Sequence, residues 1–373
     1  EKVANVAATF TQNQVVAAPI KLTQKNLQSS NWQAQAIIVN SGNANAMTGQ
    51  QGKDAAEAMV KAAAEELNIP EEHVMIASTG IIGKEFPTKL VVDGIKENVK
   101  KITDNSRAGS FAANAILTTD TFSKEGFVTF EIDGTDINIG GMAKGSGMIH
   151  PDMATMLAFT FTDINITQEL LDKAFRAGVN DSFNMITVDG DTSTNDMASV
   201  MSNGMAGNKL IEDENDPNFL LFQEKLKELL IHLAKLIISD GEGASKFIEY
   251  KVTHARNLSE ARQLVRVVSG SSLVKTAMFG RDPNWGRILA AMGRSGVPFD
   301  PEAVELYLGN GKTLVPLLEK GTPVEHDIGY LKRLLKPSDI KVHIKLNDGE
   351  EEATGWGADL TTDYVMFNSV YTT

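Results

Sequence analysis

The sequence predicts a mixed fold of helices and strands, α/β or α+β. Three observations carry that expectation. Short apolar runs such as Val74-Met75-Ile76-Ala77-Ser78 end in turns rich in Gly or Asn. Longer segments repeat apolar residues at helical spacing. The two kinds interleave along 373 residues, a length that predicts two domains or one large layered domain.

Residues 1–50 alternate strand-like runs with Asn/Gly turns, and 34–39 reads as a strand ending in Asn40-Ser41-Gly42-Asn43-Ala44-Asn45. Residues 52–67 read as a helix with Ala55, Met59, Ala62, Ala63 and Leu67 on one face, stopped by Pro70. The buried strand 74–78 runs into Thr79-Gly80-Ile81-Ile82-Gly83, and 88–102 is a second helix. The apolar run 113–117 ends at Thr118-Thr119-Asp120-Thr121. Segments 127–132 and 135–139 flank Asp133-Gly134, a hairpin signal. That hairpin leads into 140–159, where four glycines and Pro151 surround Lys144, Ser146 and His150 before the run turns apolar at Met153.

Residues 167–177 predict a helix with Thr167 as N-cap, Leu170, Leu171, Ala174 and Phe175 on one face, and Gly178 as its stop. A polar loop follows at 189–196. The longest helical pattern, 219–238, carries Leu226, Leu229, Leu230, Leu233 and Ile237 on one stripe and ends at Ser239-Asp240-Gly241-Glu242-Gly243-Ala244. Residues 285–292 are helical after Asp282-Pro283-Asn284. Residues 300–347 read as short strands and turns, clearest at 341–346, and 359–373 read as strand-rich.

Composition narrows the function. The formal net charge is -13 with no basic block, which argues against a nucleic-acid partner, because neutralising phosphates takes clustered Lys and Arg. With no cysteine, disulfides, thiolate catalysis and Cys-ligated metals are excluded, and a reducing, cytoplasmic compartment fits. No apolar run reaches the roughly 18 residues that span a bilayer, so no membrane partner is expected. The six histidines are scattered without metal-site spacing, and no metal is predicted. The chain opens at Glu1 with no initiator methionine, so a missing upstream piece is expected and a targeting segment within it stays open.

Lys144-Gly145-Ser146-Gly147 has the wrong order for a Walker loop and lacks the third glycine of a dinucleotide fingerprint. A tight irregular loop is the better reading, one that lets backbone N–H groups approach a small molecule. Asp189-Gly190-Asp191 fails the calcium-loop register, since Thr194 stands where glycine is required, and an Asx-turn network fits better. Taken alone, Lys144 reads as a solvated surface lysine and Glu242 as a carboxylate at a helix end. Thr155 alone reads as an ordinary strand or helix residue.

A threonine hydroxyl is a poor nucleophile without a base beside it. An N-terminal threonine carries its own base, an α-amine of pKa about 7.7–8.0 against about 10.4 for lysine. Thr155 reaches that state only by cutting the Ala154–Thr155 bond. Its hydroxyl would attack the preceding carbonyl, the acyl group would shift from N to O, and water would release the ester. Small Ala154 leaves that carbonyl accessible.

The run 141–159 resembles the self-cleavage and nucleophile segment of the ornithine acetyltransferase family, the glutamate N-acetyltransferases of arginine biosynthesis. Further matching segments lie at 40–45, 77–83, 118–121, 182–196, 239–244 and 279–287. The last run from Asp363-Tyr364-Val365 through Asn368 to Tyr371-Thr372-Thr373. The resemblance implies a precursor cut between Ala154 and Thr155 into an α chain, 1–154, and a β chain, 155–373, assembled as α2β2. It implies that Thr155 takes the acetyl group of N2-acetyl-L-ornithine and passes it to L-glutamate. Some members also take it from acetyl-coenzyme A, and no resident cofactor or metal is implied.

Thr79 and Gly80 match the family's oxyanion pair. Thr118, Lys144, Thr155, Glu242, Asn368 and Thr373 match its substrate contacts. Lys144 is expected to pair with the substrate α-carboxylate and Glu242 with the ornithine side-chain ammonium. The implied fold is layered, with sheets between helices, N-terminal-nucleophile-like and related to self-cleaving aminopeptidases. A smaller α/β lobe is expected at about 260–350. Asp152 departs from the asparagine usual in the family, and its charge is expected to slow the cut or alter the amine's pKa. The rivals are a self-cleaving aminopeptidase or amidase, with water as acceptor, and a non-catalytic small-anion-binding protein.

Overall fold

The computed structural model describes residues 2–150 and 156–370. The first part runs β1 (Ala4–Phe10), α1 (Ala18–Ser29), β2 (Gln33–Ala34), β3 (Ala36–Asn43), α2 (Gly49–Leu67), β4 (Val74–Ile81), α3 (Thr88–Val99) and α4 (Ser106–Ala115). Then come β5 (Lys124–Ile132), β6 (Thr135–Lys144), β7 (Leu157–Thr162), α5 (Gln168–Asp181), β8 (Ile186–Thr187), β9 (Met197–Ser202) and α6 (Pro217–Ser239). The last part holds β10 (Phe247–Ala255), α7 (Leu258–Ser269), α8 (Ser272–Phe279), α9 (Trp285–Gly293), β11 (Glu305–Asn310), β12 (Leu314–Glu319) and β13 (Thr322–Pro323). It closes with α10 (Ile328–Leu334), β14 (Asp339–Lys345), β15 (Glu351–Ala358) and α11 (Thr362–Val370).

The layering follows from side-chain alternation along the strands. On β4, Val74 and Ile76 pack against the alanine face of α2, while Met75 and Ala77 point the other way, into a core shared with β1 and β7. The parallel pair β3–β4 therefore forms one layer and the six-stranded sheet β2-β1-β9-β7-β6-β5 the next. On β7, Leu157 and Phe159 face the β3–β4 layer and Ala158 faces the opposite core. Helices α5 and α6 cover that second face and lie between it and β8 and β15 of a seven-stranded sheet, β13-β12-β11-β14-β10-β15-β8. The central strands β1 and β9, packed on both faces, carry mostly apolar or small residues, whereas β5 at the edge leaves Phe127, Thr129 and Glu131 exposed.

Local signals mostly hold. Asp133 and Gly134 both have positive φ and join β5 to β6 with Ile132 opposite Thr135, the two-residue hairpin that Asp-Gly favours. The Thr167 hydroxyl accepts from the Leu170 N–H and caps α5. Gly178 does not stop that helix, which runs on to Asp181. A Cβ at Gly178 would lie 2.8 Å from Leu230 Cδ1, so glycine serves the close approach of α5 and α6.

Three further readings need correction. The first fifty residues include a helix, α1, started by Pro19 and carrying buried Ile20, Thr23 and Leu27 at helical spacing. The region 300–347 holds a helix, α10, besides its strands. Residues 362–370 of the final segment form α11 rather than a strand, while 371–373 lie outside the described residues. The Thr361 hydroxyl accepts from the Tyr364 N–H and donates to the Gly243 carbonyl, anchoring α11 at its start.

Gly178→Val is expected to lose about 1–3 kcal/mol of stability by forcing α5 and α6 apart. Urea unfolding of parent and variant measures it, and an unchanged midpoint would show that the interface yields freely.

Candidate active site

One cavity of about 400 Å³ gathers most of the residues singled out from the sequence. Thr79 and Gly80 come from the end of β4, Thr118 from the turn after α4, and Lys144 from the end of β6. Glu242 comes from the turn after α6 and Asn368 from α11. Ala154, Thr155 and Thr373, with Asp152, lie outside the described residues. Met156, the residue after Thr155, is buried, lines the cavity and leads into β7. Lys144 stands opposite Leu157 in the β6–β7 pairing, so the 145–156 connection spans two paired strand ends.

The turn at Gly80 depends on close backbone approach. Gly80 has φ of 129° and pairs with Gly42 across the β3–β4 ladder, where a Cβ would sit 2.3 Å from the Gly42 carbonyl carbon. Only glycine fits.

Lys144 is 8% exposed, so the reading of a solvated surface lysine fails. Its ammonium donates to Thr118 Oγ1 at 2.7 Å and Thr79 Oγ1 at 3.3 Å, and lies 3.6 Å from Asp120 Oδ2. Burial pushes this ammonium below the ordinary lysine range, against the attraction of Asp120.

Asp120 is the hub. It accepts from the Gly145 N–H at 2.6 Å, the Thr118 N–H at 3.1 Å and Lys124 Nζ at 2.7 Å. Lys124, fully buried, also donates to Asp240 Oδ2 at 2.6 Å, and Asp240 accepts from the Thr121 N–H and hydroxyl. Burial pushes the Asp120 carboxyl up, but Lys144, Lys124 and the donated hydrogen bonds outweigh it and hold it below the usual carboxylate range. Sequence reading did not single out Asp120, Lys124 or Asp240. Asp120 and Asp240 lay inside segments noted for their likeness, 118–121 and 239–244, without being given a role, and Lys124 left only the trace of a Lys four residues after an Asp.

On the other side, Glu242 is seated by glycines. A Cβ at Gly147 would lie 2.2 Å from Glu242 Oε2, and one at Gly243 would lie 2.3 Å from the Tyr364 N. Asn368 Nδ2 donates to Glu242 Oε2 at 3.0 Å. Asp189 accepts from the Met148, Ile149 and Asp191 N–H groups and from the Tyr364 hydroxyl, the Asx-turn network that the spacing suggested. Burial raises the Asp189 carboxyl.

The cavity thus offers a cation and two hydroxyls at one place and a carboxylate with an amide at another. That arrangement suits a small molecule bearing charges of both signs, and the volume lies in the range of small-ligand pockets.

Asp120→Ala would strand Lys124 on a single carboxylate and leave Lys144 without one. It is expected to cost about 3–5 kcal/mol, because the uncompensated charge stays buried. Since the folded carboxyl titrates below its unfolded value, its contribution is complete above the ordinary carboxylate range and is lost as pH falls through the folded value. Urea midpoints across an acid series check this, with the gap between parent and variant narrowing toward low pH.

The sequence profile of the ArgJ family matches residues 1–373. The arginine biosynthesis bifunctional protein ArgJ of Caldanaerobacter subterraneus subsp. tengcongensis is 48% identical over 373 residues, 100% of this chain and 91% of that protein. Its namesake from Symbiobacterium thermophilum is 48% identical over 368 residues, 98% of this chain and 89% of that one. A solved arginine biosynthesis bifunctional protein from Bacillus halodurans superposes with a TM-score of 0.55 at 41% identity, covering 58% of this chain and 100% of its own. A profile match along the whole sequence, joined to relatives this similar over nearly their full length, establishes that the chain belongs to the ArgJ family.

Proposed function

We propose that this chain is an acyltransferase of arginine biosynthesis that moves the acetyl group of N2-acetyl-L-ornithine to L-glutamate through an acetyl ester on Thr155. The observation that carries this reading is convergence. Thr79, Gly80, Thr118, Lys144, Glu242 and Asn368 come from well-separated parts of the sequence and line one cavity with Met156, the neighbour of Thr155. Relatives named as bifunctional arginine biosynthesis proteins support it. The second activity is transfer from acetyl-coenzyme A to glutamate, with the coenzyme as a substrate.

The α-amine of Thr155 takes the hydroxyl proton as Oγ1 attacks the acetyl carbonyl. The Thr79 hydroxyl and the Gly80 N–H receive the developing oxyanion. When the C–N bond breaks, the ammonium returns its proton to the departing ornithine nitrogen. Glutamate's amine then attacks the ester and N-acetylglutamate leaves. Lys144 receives the α-carboxylate common to both substrates. Glu242 and Asn368 receive the side-chain end of ornithine.

The proposal includes a cut before Thr155. The sheet order favours fragments that stay together. Strands β7 and β9, from 155–373, occupy the centre of the six-stranded sheet, flanked by β1 and β2 on one side and β6 and β5 on the other, all from 1–154. Two ladders, β1–β9 and β6–β7, would still join the pieces. Two such pairs, assembled as α2β2 in the cytoplasm, complete the reading.

Incubation with acetylornithine and glutamate is expected to give ornithine and acetylglutamate, and acetyl-coenzyme A with glutamate alone tests the second activity. Ornithine released without acetylglutamate would instead point to an amidase. Thr155→Ala is expected to abolish both the cut and the transfer. Thr79→Ala is expected to lower kcat by about 10²–10³, the usual effect of losing one oxyanion donor. A parent chain that never splits, together with a Thr155→Ala variant that transfers as well as the parent, would overturn the proposal.

A further inference from the structure

A second cavity, of about 310 Å³, lies in a groove between the N-terminal halves of α1 and α2. Helical spacing puts Lys21, Leu22 and Lys25 of α1 and Lys53 of α2 on its walls, and Val16 and Met47 add apolar lining. All three lysines are exposed, and among the described residues none of their ammonium groups is held in an ion pair. The N-terminus of α2 opens on the same groove at Gly49 and has no side-chain cap, so its partial positive charge adds to theirs.

The sequence sets this region apart. The chain carries 48 acidic residues, yet residues 2–53 contain no Asp or Glu, and their only charges are Lys2, Lys21, Lys25 and Lys53. Asp54 is engaged elsewhere, accepting from Gln50 Nε2 at 2.7 Å. Glu57 is the single carboxylate on the groove wall. In a protein of net charge -13, three cations around one apolar groove make a local field that draws in an anion.

The groove shares a wall with the active-site cavity. Ala44 borders that cavity beside Thr79 and Gly80, and Asn45, the next residue, borders the groove. Both are buried, and the partition is well tied. Asn45 Nδ2 donates to the Gly52 carbonyl at 2.8 Å, Asn45 Oδ1 accepts from the Thr48 hydroxyl at 2.7 Å, and Asn195 Nδ2 donates to the Ala44 carbonyl at 2.6 Å. At the surface the chain passes from Asn13 on the cavity to Val16 on the groove through exposed Gln14 and Val15. Met47, on the groove, is 73% exposed.

A ligand suited to both spaces carries clustered phosphates on an apolar body at one end and an uncharged arm with a transferable acyl group at the other. We propose that the α1–α2 groove binds the phosphorylated nucleotide end of acetyl-coenzyme A, with Lys21, Lys25 and Lys53 on its phosphates and the arm crossing the rim into the active-site cavity. The proposal rests on the coenzyme-dependent second activity and gives it a subsite. Ammonium–phosphate hydrogen bonds are charge-assisted, which favours a phosphorylated ligand over a neutral one. Acetylornithine has no phosphate, so the two donors share the cavity and differ in the groove.

The triple variant Lys21→Gln/Lys25→Gln/Lys53→Gln tests this. Its thermal midpoint is expected to stay where it is, because all three side chains are exposed. With glutamate as acceptor, KM for acetyl-coenzyme A is expected to rise at least about tenfold, while kcat and KM for acetylornithine are unchanged. Adenosine 3′,5′-bisphosphate is expected to compete with acetyl-coenzyme A but not with acetylornithine. By calorimetry it is expected to bind the parent and not the variant. A bisphosphate that fails to bind the parent, an unchanged KM for acetyl-coenzyme A, or an equal rise for both donors would overturn the proposal. So would inorganic phosphate that displaces acetyl-coenzyme A as well as the bisphosphate does, since the groove would then read no nucleotide. A parent that takes acetyl groups from acetylornithine alone would sink the second activity, and the calorimetry would still decide the groove.

Discussion

The alternating charges Lys144, Asp120, Lys124 and Asp240 are the constraint on which the site depends. Four ionic groups sit inside the protein, where each alone would be prohibitively costly to desolvate. They persist because each carboxylate also collects backbone or hydroxyl donors, from Thr118 and Gly145 on Asp120 and from Thr121 on Asp240. The chain of charges ties the turn after α4, the starts and ends of β5 and β6, and the turn after α6 into one block. Such pairs hold geometry more than they add stability. Here the geometry is the position of an ammonium beside two threonine hydroxyls.

The rest of the site is attached to that block. Ser146 donates to the Asp240 carbonyl at 2.5 Å and accepts from the Glu242 N–H at 3.0 Å through its own carbonyl. The loop after β6 and the turn after α6 are thus fastened together. Gly147 and Gly243 then leave room for the Glu242 carboxylate and for the start of α11. The glycines that first resemble a phosphate cradle are spacers that let loops, side chains and a helix approach one another. A buried wall of this kind strengthens each charge interaction with a bound substrate.

The layered core supplies stiffness behind the loops. Because the central strands of the six-stranded sheet, β1, β9 and β7, pack on both faces, they are fixed by packing as well as by their ladders. Its central strands begin next to the cavity, with Leu157 and Met197 opposite one another in the β7–β9 pairing. A site set at the ends of such strands keeps its distances, and a cut in the neighbouring connection would leave those ladders intact.

The sequence by itself determined the class of fold, the Asp133-Gly134 hairpin, the Thr167 cap, the α6 stripe and the residues around the cavity. Each is a local pattern, or a set of segments whose likeness to a family is legible without coordinates. Tertiary structure decided what depends on neighbours distant in sequence. It buried Lys144 against Asp120 and placed Gly178 inside a helix where α6 presses on it. It made 362–370 a helix, a segment with no buried side chain and no periodicity to announce it. It also sealed one oxygen of Asp196 away from water. Burial and pairing are sums over contacts from many segments, and no local run of residues encodes them.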